Sequence, residues 1–134
     1  MAAVDTNVLV RLLLDDDEEQ GRAARALQRS HAPLFVPHVV LAETAWVLVS
    51  VYGFSREKLR ALIEMLVDTE GLVLQEPEVV QAALAAFGSS RADFSDCLIL
   101  AVTQRAGMSP LATFDEKLAA LPGTRRLGRK RPRR

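Results

Sequence analysis

Short apolar runs, each too brief to be a helix, alternate along this chain with longer stretches of helical spacing. The runs are residues 2–5 ("AAVD"), Leu34–Val36, Gly71–Leu74 and Leu111–Thr113, and the more polar Thr124–Leu127 is expected as one further strand. Pro33 and Pro37 bracket the second. Between them, Thr6–Leu14 sets Val8, Leu9, Leu12 and Leu13 at helical spacing. A second helix opens at Asp15–Gln20 ("DDDEEQ") and runs to Ser30, its carboxylates offsetting the positive end of the helix dipole. Further helices are expected at His38–Val51, at Ser55–Thr69 with Ser55 as its cap, at Pro77–Phe87, at Phe94–Arg105 and, briefly, at Asp115–Leu121. Strands alternating with helices predict an α/β domain: a central, mainly parallel sheet with helices on both faces.

At 134 residues one compact domain is expected, and 49% apolar residues with only 5% aromatic ones imply a core of Leu, Val and Ala. Cys97 is the lone cysteine, so no intrachain disulfide forms and a reducing cytoplasm suits the chain. No apolar run approaches the roughly 20 residues of a membrane span, and the first residues lack the pattern of a signal peptide. The net charge of zero conceals a division. Residues 125–134 ("RRLGRKRPRR") carry seven of the 17 basic residues, leaving 10 basic against 17 acidic in residues 1–124, a net charge of −7. The expected organisation is therefore a domain over residues 1–124 and a basic, flexible tail over 125–134. An acidic body is not the footprint of a protein that grips nucleic acid over its whole surface, but it leaves room for a local site that needs cations.

Five carboxylates interrupt apolar segments: Asp5 in "AAVDTNVLV", Glu43 in "VVLAETAWVLV", Asp93 and Asp96 in "RADFSDCLILAV", and Asp115 in "LATFDEKL". Asp5 and Asp115 follow the first and fourth strands, where open α/β sheets bind ligands. Asp96 lies in the first turn of its helix with Asp93 three residues earlier, and Ile99 and Leu100 are expected to carry that side into the core. Glu43 has Val39, Val40, Trp46 and Val47 as helical neighbours and is expected to point inward. Carboxylates meeting at one sheet edge repel one another unless cations share the site. All-oxygen ligands suit Mg²⁺ or Mn²⁺ rather than Zn²⁺, and His31, His38 and Cys97 show no ligand spacing. Bland readings stand beside this one. Asp5 and Asp115 suit helix caps, Glu43 suits pairing with an arginine, and Thr6, Asn7 and Thr113 suit turn hydrogen bonds.

The segments "VDTNVLVRLL", "LAETAWVL", "DFSDCLILAVTQRAG" and "LATFDEKL", in that order, resemble the PIN-domain family, in particular the small VapC-type toxins of bacterial toxin–antitoxin pairs. The resemblance runs from about Ala2 to Leu121. It implies a PIN-like three-layer α/β/α sandwich and a Mg²⁺- or Mn²⁺-dependent endoribonuclease that hydrolyses RNA phosphodiester bonds with metal-activated water. It implies a catalytic and metal-holding quartet of Asp5, Glu43, Asp96 and Asp115, with Asp93 as a further ligand and Thr6, Asn7 and Thr113 as supporting residues. A homodimer and a cognate antitoxin are the implied partners, and the basic tail has no counterpart in the pattern.

Three other functions compete. A PIN scaffold that binds RNA or protein with weak catalysis predicts a missing acid, and none is missing. An aspartyl phosphotransferase of the haloacid-dehalogenase type wants a second acid two residues after Asp5, where this chain has Asn7. A receiver module wants a phosphoacceptor Asp after the third strand, where Glu76 and Glu78 stand instead.

Overall fold

The computed structural model describes residues 1–128. Its elements follow the expected alternation: β1 (Ala2–Ala3), α1 (Thr6–Leu13), α2 (Glu18–His31), β2 (Leu34–Val36), α3 (His38–Ser50), α4 (Arg56–Val67), β3 (Leu72–Leu74), α5 (Pro77–Gly88), α6 (Phe94–Arg105), β4 (Leu111–Thr113), a single 3₁₀ turn at Leu118–Ala120, and β5 (Thr124–Arg126). Every strand pairing among these residues is parallel. β2 lies between β1 and β3, with Ala2 opposite Leu34 and Leu34 opposite Leu72, and β4 pairs with β5 in a second ladder. The architecture is the expected α/β arrangement of helices around parallel strands.

The boundaries show which local forces prevail. The first strand stops at Ala3 because Asp5 turns to cap α1, its Oδ1 accepting from the Val8 amide at 3.0 Å. Val4 still donates to the Phe35 carbonyl, so the chain follows β2 up to the cap. α2 begins at Glu18 rather than in the preceding aspartates, because Asp17 is the residue that caps it. Asp16, freed from the helix, accepts from Arg11 and from the Tyr52 hydroxyl, tying the α1–α2 loop to the end of α3. Ser55 caps α4 as expected. The helix expected at Asp115–Leu121 shrinks to one 3₁₀ turn, since Pro122 and Gly123 reverse the chain directly into β5. Gly123 has φ +83°, a left-handed conformation that an L side chain would strain, so this turn favours glycine. β5 draws Arg125 and Arg126, the first two residues of the basic run, into the sheet, and Leu127 donates to the Thr113 carbonyl. The rest of that run, residues 129–134, lies outside the described residues.

The core is aliphatic. Leu9, Leu34, Val36, Leu41, Leu48, Ile63, Leu66 and Val80 are fully buried, joined by Phe87 and Phe94 edge to face at 5.9 Å. Cys97 packs among them, and burial pushes its thiol pKa up, which suits a small core group. α3 departs from expectation. Its buried face carries Val40, Leu41, Thr44, Ala45 and Leu48, while Val39, Glu43, Trp46 and Val49 lie on the solvent side. Glu43 therefore points outward, because the core takes the opposite stripe of a helix that is apolar all round. Ile99 on α6 is likewise exposed. Among the described residues no helix is long and apolar enough to cross a membrane.

The two sides of α3 should respond differently to truncation. Leu48 is 1% exposed and Trp46 64%. Leu48→Ala is expected to cost about 2–5 kcal/mol in urea unfolding, and Trp46→Ala less than about 1 kcal/mol.

Candidate functional site

The carboxylates stand at strand exits and helix starts, as the spacing requires, but none is deeply buried. Asp5, Glu43, Asp93 and Asp115 are exposed and Asp96 is half-buried. Partial exposure removes the difficulty of a charge sealed in the core and leaves a question of mutual repulsion.

A row of contacts connects them. Thr6, the first residue of α1, donates from Oγ1 to Glu43 Oε1 at 3.1 Å. Ser95 on α6 donates to the Ala42 carbonyl on α3 at 3.4 Å, so the helices bearing Glu43 and Asp96 touch at the residues beside those acids. Asp96 lies within electrostatic reach of Asp93 and Asp115. Its pKa is raised above 3.8, first by burial and then by these two like charges. Among the described residues no three His, Cys, Asp or Glu side chains are gathered closely enough to form a metal-binding group. The acids are spread over the start of α1, α3, the start of α6 and the exit of β4 rather than gathered into a shell.

Cap bonds orient part of the row. Asp5 spends Oδ1 on the Val8 amide, and Asp115 spends Oδ1 on the Leu118 amide at 2.9 Å. Thr113 accepts from the Asp115 amide at 2.9 Å, holding the turn that presents Asp115. The bland readings of these residues are thus true of the molecule, and they leave capacity over. A carboxylate offers about four acceptor sites. Among the described residues, Oδ2 of Asp5, Oδ2 of Asp115, Oε2 of Glu43 and both oxygens of Asp93 and Asp96 accept no hydrogen bond. These are hard anionic oxygens beside hydroxyls, a donor set whose chemistry fits Mg²⁺ or Mn²⁺. Asn7 is turned elsewhere, its amide reaching Gln20 on α2 at 3.4 Å, so the structure does not bring it to the row.

Arg56 escaped the sequence reading. From the first turn of α4 it donates to the carbonyls of Ala92 at 2.9 Å, Phe87 at 2.8 Å and Ser90 at 3.0 Å, and lies 3.9 Å above the Phe87 ring. It clamps the loop that delivers Asp93. The only sequence signal was a cation at the positive end of a helix, where a cation is unfavourable unless something holds it.

The family model for the PIN domain matches residues 2–123, and the chain belongs to the PIN domain family. It is similar to a protein of Aquifex aeolicus (strain VF5) named VapC ribonuclease, 23% identical over 124 residues that cover 90% of this chain and 92% of that protein. No solved structure matches significantly.

Two outcomes test this geometry. Arg56→Met leaves three carbonyls without their donor and should lower stability by about 2–4 kcal/mol, with Arg56→Lys restoring part of the loss in thermal melts. The raised pKa of Asp96 favours the folded state only where Asp96 is protonated. Its contribution is fully present below 3.8 and is lost as pH rises through the folded value. Asp96→Asn, melted in EDTA, should therefore be more stable than the parent at neutral pH, with the advantage shrinking as the solution is acidified toward pH 4.

Proposed function

We propose that the chain is a divalent-metal-dependent endoribonuclease of the VapC type, the toxin of a toxin–antitoxin pair, acting by hydrolysis. The observation that carries this reading is that Thr6 bonds Glu43, Ser95 bonds the residue before Glu43, and Asp96 lies in the field of Asp93 and Asp115, with carboxylate oxygens left without partners among the described residues. Membership of the PIN domain family and similarity to a protein named VapC ribonuclease support it.

Asp5, Glu43, Asp96 and Asp115 are the proposed catalytic and metal-holding residues, with Asp93 as a further ligand and Thr6 and Thr113 in support. Mg²⁺ or Mn²⁺ held there would lower the pKa of a water and neutralise charge on the phosphate in transit. The chain's own work is orientation. The cap bonds of Asp5 and Asp115 hold their carboxylates before RNA arrives, so little side-chain entropy is lost on binding. Thr6 fixes one oxygen of Glu43 and leaves Oε2 to accept a hydrogen bond from the attacking water. No side chain forms a covalent intermediate; the water oxygen bonds to phosphorus as the ribose oxygen departs in line.

The exposed apolar side of α3, with Val39, Trp46 and Val49, is the proposed contact of a homodimer. An antitoxin is the proposed protein partner, and the cytoplasm the proposed compartment.

A cleavage assay on structured RNAs tests the reading. The parent should cut in Mg²⁺ or Mn²⁺ and stop in EDTA. Asp96→Asn and Asp5→Asn, with folding checked by circular dichroism, should lower kcat by at least about a hundredfold. Full-rate turnover without metal, or Asp5→Asn cutting as fast as the parent, defeats the assignment. Binding of RNA with no cleavage by the parent would instead favour a PIN scaffold that serves as a binding module.

A further inference from the structure

Beside the row of acids lies an open cleft of about 680 Å³ whose walls mix both signs of charge: Arg91, Asp93, Asp115, Glu116 and Lys117 line it. Arg91 precedes Asp93 by two residues on the α5–α6 loop, and Lys117 follows Asp115 by two after β4. Both cations are exposed. Among the described residues neither enters an ion pair or donates a hydrogen bond, although three carboxylates share the cleft. Of the other exposed arginines, Arg22 pairs with Glu18, Arg60 with Glu64 and Arg105 with Glu78, while Arg25 and Arg29 on α2 enter no ion pair among the described residues. β5 extends the positive ground. It runs parallel to β4 with Arg126 opposite Thr113, placing the exposed Arg125 and Arg126 along the strand that leads into Asp115.

We propose that Arg91 and Lys117 form a phosphate-binding pair that seats the backbone of single-stranded RNA in this cleft, against Asp93 and Asp115. The inference rests on the nuclease reading and adds to it how a polyanion approaches a site of its own sign. An RNA strand nearing the acids meets repulsion, and two cations lining the same cleft offset it. Phosphate contacts position a strand without reading its bases. The pair therefore sets affinity and register, and leaves target choice to other surfaces.

Binding separates this inference from the nuclease reading. Asp96→Asn protein in EDTA is titrated against a fluorescein-labelled single-stranded RNA of mixed sequence, followed by anisotropy at several salt concentrations. Adding Arg91→Ala and Lys117→Ala together should raise Kd about tenfold and flatten the slope of log K against log salt by about 1.4, two contacts at about 0.7 each. Removing two cations that do not line the cleft, Arg22→Ala with Arg29→Ala, should leave the slope within about 0.3 of the Asp96→Asn value. The inference is overturned by an unchanged Kd and slope in the cleft variant, by an equal shift in the α2 control, or by no RNA binding at all. Absence of cleavage by the parent would instead overturn the nuclease reading, whatever the titration shows.

Discussion

Parallel strand pairing is the constraint on which the rest of this molecule depends. Because β1, β2 and β3 run in one direction, the residues that follow their ends leave the sheet on the same side, and so do those that follow β4 and β5 in their own ladder. The connections from β1 to β2 and from β2 to β3 return through helices, so helix starts gather where those strands end, whereas β4 reaches β5 through a single 3₁₀ turn. Asp5 and Asp115 stand at such exits, and Asp96 stands in the first turn of α6. Within each ladder the shared strand direction sets these exits on one side, and the Thr6–Glu43 and Ser95–Ala42 hydrogen bonds bring the starts of α1 and α6 against α3.

A helix start is also a favourable place for a carboxylate, which bears on the cost of the row. Asp5 and Asp115 each accept a backbone amide, a contact worth about 1 kcal/mol at a cap. That gain helps to offset the burial and the like-charge repulsion that together raise the Asp96 pKa. One oxygen of each residue serves the fold and the other accepts no hydrogen bond among the described residues, so the capping role and the proposed metal-holding role do not compete.

Much of this was legible in the amino-acid pattern. Leu34–Val36, Leu111–Thr113 and Phe94–Arg105 fall where Pro brackets, apolar runs and Gly107 place them, because strong local signals agree there with the tertiary packing. α3 shows where such reading ends. A helix apolar on every side has no stripe to reveal its orientation, and the inward placement of Glu43 failed for that reason. The α/β architecture and the family were legible from four ordered segments, but the side chains' partners were not. Arg56 reaches carbonyls more than 30 residues away in sequence, and Asn7 turns to Gln20 rather than to the acids. Periodicity and spacing carry no information about contacts of that kind.

The distribution of cations gives the chain's charge pattern a physical logic. Arg56 is partly buried and bound to three carbonyls, so its charge supports the loop before Asp93 and is little available to a ligand. Arg91 and Lys117 are exposed beside the same acids, where they partly offset the local negative field while remaining available to a phosphate. Fully pairing them with Asp93 and Asp115 would quiet the repulsion at Asp96 and at the same time occupy the oxygens that the proposed chemistry requires. An open cleft with cations at its edges and unspent carboxylates along its row keeps both kinds of charge usable, at the cost of leaving like charges close together in the folded chain.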